Sequence, residues 1–499
     1  MTELAPQQNH NYSEIDLHVS RFRFGRIPLN NAPSGQMIFQ TTSSQLAEFK
    51  IASNTSCNIN NSYITYNYQV PALAGSYSIL FEKGLDFAKY AYFGDGSTPI
   101  VDYNNCDAIM SATQGLRSPL DEYLTNDPMN QIYPSNQLTT SNILPFSIDG
   151  LAGGTANASN VNYTEPQYLR ISSAVNQIMN VYRHLPLSRF KDTFLGYNKT
   201  LVWGTDMYLR FLTNYVQRIY FYSTSNTSPN AGTVTQATQS LTVNNITLWL
   251  AIEMEEVIRS SLLNALASNR ISLTVPYTYV YRLPVPAGST TYNLTTTLTR
   301  QFGRAIRRIA VIPFAGGTNE FNNNAYNNSN VNGTKTSQIQ TTMDGRPLTD
   351  FLLNVYNPNS GVNPPTGTGL VNPTIWAQAP NTWGDDYREM KSKLCDTYLQ
   401  NYNTYLTNWM YCDFFGEMTA LERTKTVPDT YQINSGFSVL DGDHIYTVLG
   451  QCPAITYNYN NASTATTMSD CFTGGLIVYI VVTYLRTLNI HPSGFSWSV

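Results

Sequence analysis

The chain contains five histidines, His10, His18, His184, His444 and His491, so a histidine-based mechanism has few places to sit. His184 stands four residues before Ser188, and an imidazole within reach of a hydroxyl is the pairing of a general base with a nucleophile. Nothing in His184-Leu185-Pro186-Leu187-Ser188-Arg189 activates that serine, and a histidine beside a strand break is the simpler reading. Asp441-Gly442-Asp443-His444 brings two carboxylates and an imidazole together, the donor types of a cation site, yet Asp-Gly between apolar runs is first of all a turn. Asn332-Gly333-Thr334-Lys335-Thr336 lacks the glycine that a phosphate-binding loop places before its lysine. Neither a nucleophile elbow nor a zinc-protease motif is present. The six cysteines, Cys57, Cys106, Cys395, Cys412, Cys452 and Cys471, lie far apart with no C-x-x-C pair, which predicts free thiols in place of a metal centre. The expectation is a protein with no catalytic residues, no cofactor and no metal.

Positive charge gathers in two places. Arg21-Phe22-Arg23-Phe24-Gly25-Arg26 interleaves basic and aromatic residues, so an extended segment puts Arg21 and Arg23 on one side and Phe22 and Phe24 on the other. One face can anchor and the other can carry charge. Such a segment is expected to gain little by folding back on its own barrel and to dock on a neighbour, with weak contact to nucleic acid as a second use of the arginines. Arg300, Arg304, Arg307 and Arg308 precede an apolar run, where arginines usually pair with carboxylates at a subunit contact.

The composition points the same way. At 499 residues the chain is long enough for two all-β domains. Charged residues make up only 12%, about half of the usual ~25%. The chain also holds 35 Tyr, 21 Phe and 6 Trp, and charge depletion with tyrosine enrichment is the signature of surfaces that touch other protein. The formal net charge of −4 excludes a polyanion-binding body, so any nucleic-acid contact must be local. The longest apolar run, Leu476 to Leu485, is too short for a membrane helix and reads as a buried strand. The N-terminal stretch has no basic-then-apolar layout, which predicts cytosolic synthesis without a signal peptide.

The elements that must position these groups are mostly strands. After an arm over residues 1–34, period-two runs appear at Met37 to Gln40, Phe49 to Ala52 and Tyr63 to Val70, the last with Ile64, Tyr66, Tyr68 and Val70 on one face. A helix is predicted around Asp107 to Leu124, then a long polar loop over Gln131 to Thr164. Strands resume at Ile178 to Tyr182, Leu201 to Trp203, Met207 to Leu212, Tyr215 to Tyr222 and Ile246 to Ile252. Met254, Val257, Ile258, Ser261, Leu262 and Ala265 then mark a helix opened by Glu253, Glu255 and Glu256. Beyond it come strands at Ile271 to Tyr281, Tyr292 to Leu298, Ala305 to Phe314, Pro347 to Tyr356, Gln432 to Leu440, Ile445 to Leu449 and Leu476 to Leu488. Polar loops over Gly316 to Thr342 and Asn357 to Thr382 separate them, and a helix is predicted from Trp383 to Trp409, carrying Tyr398 and Tyr402. Each half thus reads as eight short strands with helical insertions and long polar loops.

This order of segments resembles the double jelly-roll major capsid proteins of the adenovirus, tectivirus, virophage and Polinton-like lineage. Gly35-Gln36-Met37-Ile38-Phe39 and Tyr63-Ile64-Thr65-Tyr66 look like the opening strands of the first barrel. Tyr182 to Phe190, Leu201-Val202-Trp203-Gly204 and Met207 to Phe211 look like its late strands, Met254 to Ala267 with Ile271 to Tyr277 like the connection into the second barrel, and Leu476 to Leu488 like the closing strand.

The resemblance implies an all-β fold of two consecutive eight-stranded jelly-roll barrels, and the pattern along the chain divides it into an N-terminal arm at 1–34, a first barrel at 35–252, a connecting helix at 253–268 and a second barrel at 269–499. It implies a homotrimeric, pseudo-hexameric capsomer of an icosahedral DNA virus shell, located in the virion, that contacts neighbouring capsomers and penton and minor capsid proteins. The residues expected at interfaces are Arg21, Phe22, Arg23, Phe24, Arg26, Arg304, Arg307, Arg308, Tyr398 and Tyr402. A single jelly-roll capsid protein of densovirus type, and a carbohydrate-binding or carbohydrate-cleaving β-protein, are the alternatives.

Overall fold

The computed structural model of the chain describes residues 21–70, 78–82, 87–107, 109, 145–146, 168–172, 179–190, 193–216, 220–223, 234–236, 240–289, 291–303, 305–315, 338–349, 352–354, 411–415, 437–438, 442–451, 455–457, 466–468 and 475–498. The helices expected over Asp107 to Leu124 and Trp383 to Trp409, with Tyr398 and Tyr402, lie outside these residues or nearly so, as does Arg304.

Strand alternation sets the first half. In Tyr63 to Tyr68, Ile64, Tyr66 and Tyr68 are buried while Tyr63 and Thr65 on the opposite face are only half-buried, as period-two patterning requires. The strands are β1 (Phe22–Pro28), β2 (Met37–Phe39), β3 (Leu46–Ile51), β4 (Cys57–Val70), β5 (Ser78–Glu82), β6 (Ala88–Gly94), β7 (Pro99–Asn104), β8 (Pro145–Phe146), β9 (Tyr168–Ser172), β10 (Met179–Pro186), β11 (Thr200–Leu201), β12 (Met207–Thr213), β13 (Tyr220–Ser223), β14 (Val234–Gln236) and β15 (Leu241–Glu253). One sheet has the order β1-β15-β4-β10, with β2 also on β15 and β11 on β4; a second has the order β3-β12-β6-β7. This interleaving of early and late strands across two sheets is that of a jelly roll. Phe39 meets Tyr68 within the first sheet and also Phe87, which in turn meets Phe211 of the second, with centroids 5.7 to 6.0 Å apart. Burying aromatics of this size stabilises the fold by about 1.5–3 kcal/mol each.

The chain then crosses through α1 (Glu256–Ala267). Glu253, expected to open this helix, is instead the last residue of β15. Its Oε1 accepts the backbone N–H groups of Arg21, Met254 and Glu255 at 3.0 to 3.1 Å, and the Met254 N–H is shared with the Arg21 carbonyl at 2.7 Å.

The second half repeats the scheme with β16 (Ile271–Val285), β17 (Thr291–Leu298), β18 (Ala305–Ala315), β19 (Gln338–Met343), β20 (Arg346–Pro347), β21 (Leu353–Asn354), β22 (Tyr411–Phe414), β23 (Phe437–Ser438), β24 (His444–Gln451), β25 (Ile455–Tyr457), β26 (Thr466–Met468), β27 (Leu476–His491) and β28 (Gly494–Ser498). One sheet is ordered β16-β27-β18-β22 and its partner β17-β24-β19-β20, again the jelly-roll order. Tyr446 of the second sheet donates its hydroxyl to buried Asp413 of the first at 2.7 Å. The strand expected at Pro347 to Tyr356 is two short pieces, β20 and β21, both on β19. Among the described residues no sheet mixes strands from the two sides of α1.

Register gives each barrel a direction. At one end of β4, Val70 pairs with Met179 and Gln69 with Thr242. The chain leaves or enters β4, β10 and β15 there, and the intervening segments supply a third sheet, β14-β13-β5-β9-β8. At the opposite end Cys57 pairs with Leu201 and Ile252, and Phe22 with Glu253. In the second barrel the long connections 316–337 and 355–410, and the segment holding β25 and β26, all meet the end where Leu476 pairs with Val285 and Ala315. Its other end carries Ile271, Ile490 and the β27–β28 turn. That turn touches the first barrel at Gly204, where an added Cβ would lie 2.2 Å from the Pro492 carbonyl oxygen. The connection 416–436 leaves and rejoins β18 beside Arg307 and Ile306, away from the Leu476 end, so the long connections of the second barrel do not all share one end.

Candidate assembly surfaces

The Arg21 to Arg26 segment folds as an edge strand of its own barrel. β1 pairs along its whole length with β15, from Phe22 opposite Glu253 to Pro28 opposite Thr247. This corrects the arm reading for residues 22–28, where the donors and acceptors of β15 reward a seven-residue ladder more than a solvated arm would; residues 1–20 lie outside the described residues. Gly25 allows the approach, since a Cβ there would lie 2.6 Å from Ile252 Cδ1.

The faces follow from register. Arg23, Gly25 and Ile27 share the side of Ile252, Leu250 and Leu248, and Phe22, Phe24 and Arg26 share the side of Glu253, Ala251 and Trp249. Arg21, Arg23 and Arg26 are exposed, Phe22 is half-buried, and Phe24 is 46% exposed. Phe24 lies against Tyr63 at 5.3 Å, Tyr63 stacks towards Trp249 at 6.3 Å, and His184 lies on Tyr63 at 4.4 Å. Trp249 donates its indole N–H to Thr65 Oγ1 at 2.9 Å. The outer face of this sheet therefore carries an aromatic patch beside Arg26, the composition of a protein contact.

His184 belongs to that patch. Burial pushes its imidazole down to about 4, so at neutral pH the ring is uncharged. Asp443 and His444 are committed to turns: Asp443 Oδ1 accepts the Arg300 N–H at 3.2 Å, and His444 Nδ1 lies 2.7 Å from Asp344 Oδ2, whose other oxygen accepts the Ile445 N–H. Among the described residues no group of three or more His, Cys, Asp or Glu side chains is arranged to hold a metal.

The second basic cluster is placed differently from the first. Arg307 and Arg308 are buried within the chain, 8% and 7% exposed, beside the register shift between Ile306 and Arg308 in β18. They do not form an exposed basic patch.

A contact that the sequence did not reveal joins the two barrels. Trp497 of β28 donates its indole N–H to Pro99 O at the start of β7, and Phe495 meets Trp203 edge-on at 6.4 Å. Arg486 lies between the rings of Tyr277 and Trp497, at 4.8 and 4.1 Å. Burial, then the carboxylate of Asp102, pushes the Tyr277 hydroxyl up to about 12. The C-terminal aromatic spacing Phe495-Ser496-Trp497 was the available signal, since alternation at a chain end marks a last strand with one apolar face.

No helix among the described residues is long and apolar enough to cross a membrane. No protein-family model matches the chain, and no curated protein matches it. Solved structures do. A chain of the Sputnik virophage structure matches at TM-score 0.50 and 12% identity, over 93% of this chain and 88% of that one. PBCV-1 VP54, fitted into a reconstruction of Sputnik, matches at 0.49 and 10%, over 97% and 98%. The Faustovirus major capsid protein matches at 0.43 and 10%, over 95% and 91%. With two complete jelly-roll strand orders on either side of α1, and a match to the Sputnik chain that spans both, the protein has the double jelly-roll fold.

Proposed function

We propose that the chain is a structural major capsid protein that assembles as a homotrimeric, pseudo-hexameric capsomer in the shell of an icosahedral DNA virus. What supports this reading is the pair of jelly-roll strand orders on either side of α1, brought together where the β27–β28 turn meets Gly204. Such a subunit can stand upright in a shell with one end outward and one inward. Three chains of two barrels each approximate six-fold packing, and low charge with abundant tyrosine suits the lateral contacts. In this reading the chain works in the virion and has no catalytic task. Neighbouring capsomers and vertex and minor capsid proteins are its partners, and residues 1–20 face the inner side, in reach of the genome. The helix expected at Trp383 to Trp409, through Tyr398 and Tyr402, supplies part of the trimer contact.

Electron microscopy of the purified full chain tests the proposal. Particles with a three-fold axis and a near-hexagonal outline are expected; isolated two-lobed monomers at micromolar concentration would overturn it.

A further inference from the structure

β1 is the last strand of its sheet: it pairs with β15 on one side, and no other strand among the described residues pairs with its second edge. An edge guarded by Arg21, Arg23 and Arg26 repels a copy of itself, so two β1 strands do not join. An acidic strand is what such an edge admits. Residues 1–20 contain Glu3, Glu14 and Asp16 and neither lysine nor arginine. Within them Glu14-Ile15-Asp16-Leu17-His18-Val19 alternates polar and apolar residues with the period of a strand. Extended, these residues span about 20 Å, enough to lie along most of β1.

The entry of the chain into β1 is fixed, because Arg21 donates its N–H to Glu253 and accepts that of Met254. Between Leu17 and Arg23 there is no Gly, Asn, Asp or Pro, the residues that a tight two-residue return demands. The arm is thus poorly built to turn back on its own β1, and the recipient is another molecule. We infer that residues 14–19 of one chain add as an extra strand to the free edge of β1 in a neighbouring copy, acidic side chains facing its arginines. This rests on the shell-subunit reading in needing a second copy within reach.

Mixed-chain cross-linking of the full-length protein tests it. One batch carries Leu17→Cys, a second, differently tagged batch carries Phe24→Cys, and the unsubstituted chain gives the background from its own cysteines, of which Cys57, Cys106 and Cys412 are buried. After mixing, assembly and mild oxidation, a disulfide product bearing both tags is expected. Adding Arg21→Glu and Arg23→Glu to the second batch should abolish it, and adding Glu14→Arg and Asp16→Arg to the first should restore it. A link formed only within one chain, a yield indifferent to the charge changes, or no link between chains that sediment as trimers would each overturn the inference and leave the shell reading standing. Chains that remain monomeric in sedimentation would sink both.

Discussion

The Arg486 guanidinium lies 4.1 Å from the centre of the Trp497 ring, and Trp497 donates its indole N–H to Pro99 O in the other barrel at 3.3 Å. The hydrogen bond ties the second barrel to the first, and the cation–π contact holds the Trp497 ring in place within the second. Trp497→Ala removes both, together with half-buried ring area, and should lower stability by about 2 kcal/mol. Urea denaturation checks this, and an unchanged midpoint would show that the hairpin does not couple the barrels.

Gly204 serves the same junction by absence. A Cβ there would meet the Pro492 and His491 carbonyl oxygens at 2.2 and 2.5 Å, and backbone atoms have nowhere to yield. Gly204→Ala should therefore cost about 1–3 kcal/mol by displacing the β27–β28 turn. Thermal melting should show the loss, whereas Gly288→Ala, whose position is open, should lose only the strain of its positive φ of 78°.

Acid should weaken the first barrel through His184. Burial holds its imidazole at about 4 in the folded chain, against about 6.5 when unfolded. Between those values the unfolded chain binds a proton that the folded chain refuses, so the contribution is complete above pH ~6.5 and falls as pH drops towards ~4. The slope is at most about 1.4 kcal/mol per pH unit, and less after solvent screening. His184→Phe should flatten that part of a stability–pH profile; an identical slope would remove His184 as its source.

The two barrel ends should differ in exposure once shells form. Limited proteolysis of intact particles is expected to cut within 131–164, 316–342 and 357–382 before it reaches residues 1–20. Early cleavage of the N-terminal residues with all three insertions spared would invert the assigned orientation. Truncation experiments should stop at Ser20, since removing residues 1–26 takes most of β1 out of its sheet.

Much of the barrel framework was legible because burial on one face writes a period of two into the sequence. Ile64, Tyr66 and Tyr68 read correctly for this reason, whereas the run from Leu476 was legible as an unbroken apolar stretch buried on both faces. The Arg21 to Arg26 segment was misread because alternation separates two faces without saying which partner meets them. Gly25, whose missing side chain admits Ile252, favoured the chain's own barrel. Of the third sheet, β13 overlaps the strand expected at Tyr215 to Tyr222, while its other strands were missed because they are two to five residues long and their pairing depends on distant partners such as Phe81 opposite Leu169. Arg307 and Arg308, expected at a subunit contact, are already 8% and 7% exposed within the single chain, which sequence cannot record because burial depends on what folds over them.

Sedimentation equilibrium of the full chain across the micromolar range tests the central claim most directly. A single species of three times the 55.8 kDa chain mass is predicted, stable on dilution and in moderate salt, because the contacts are tyrosine-rich and poor in charge. A monodisperse monomer over the same range would contradict the account.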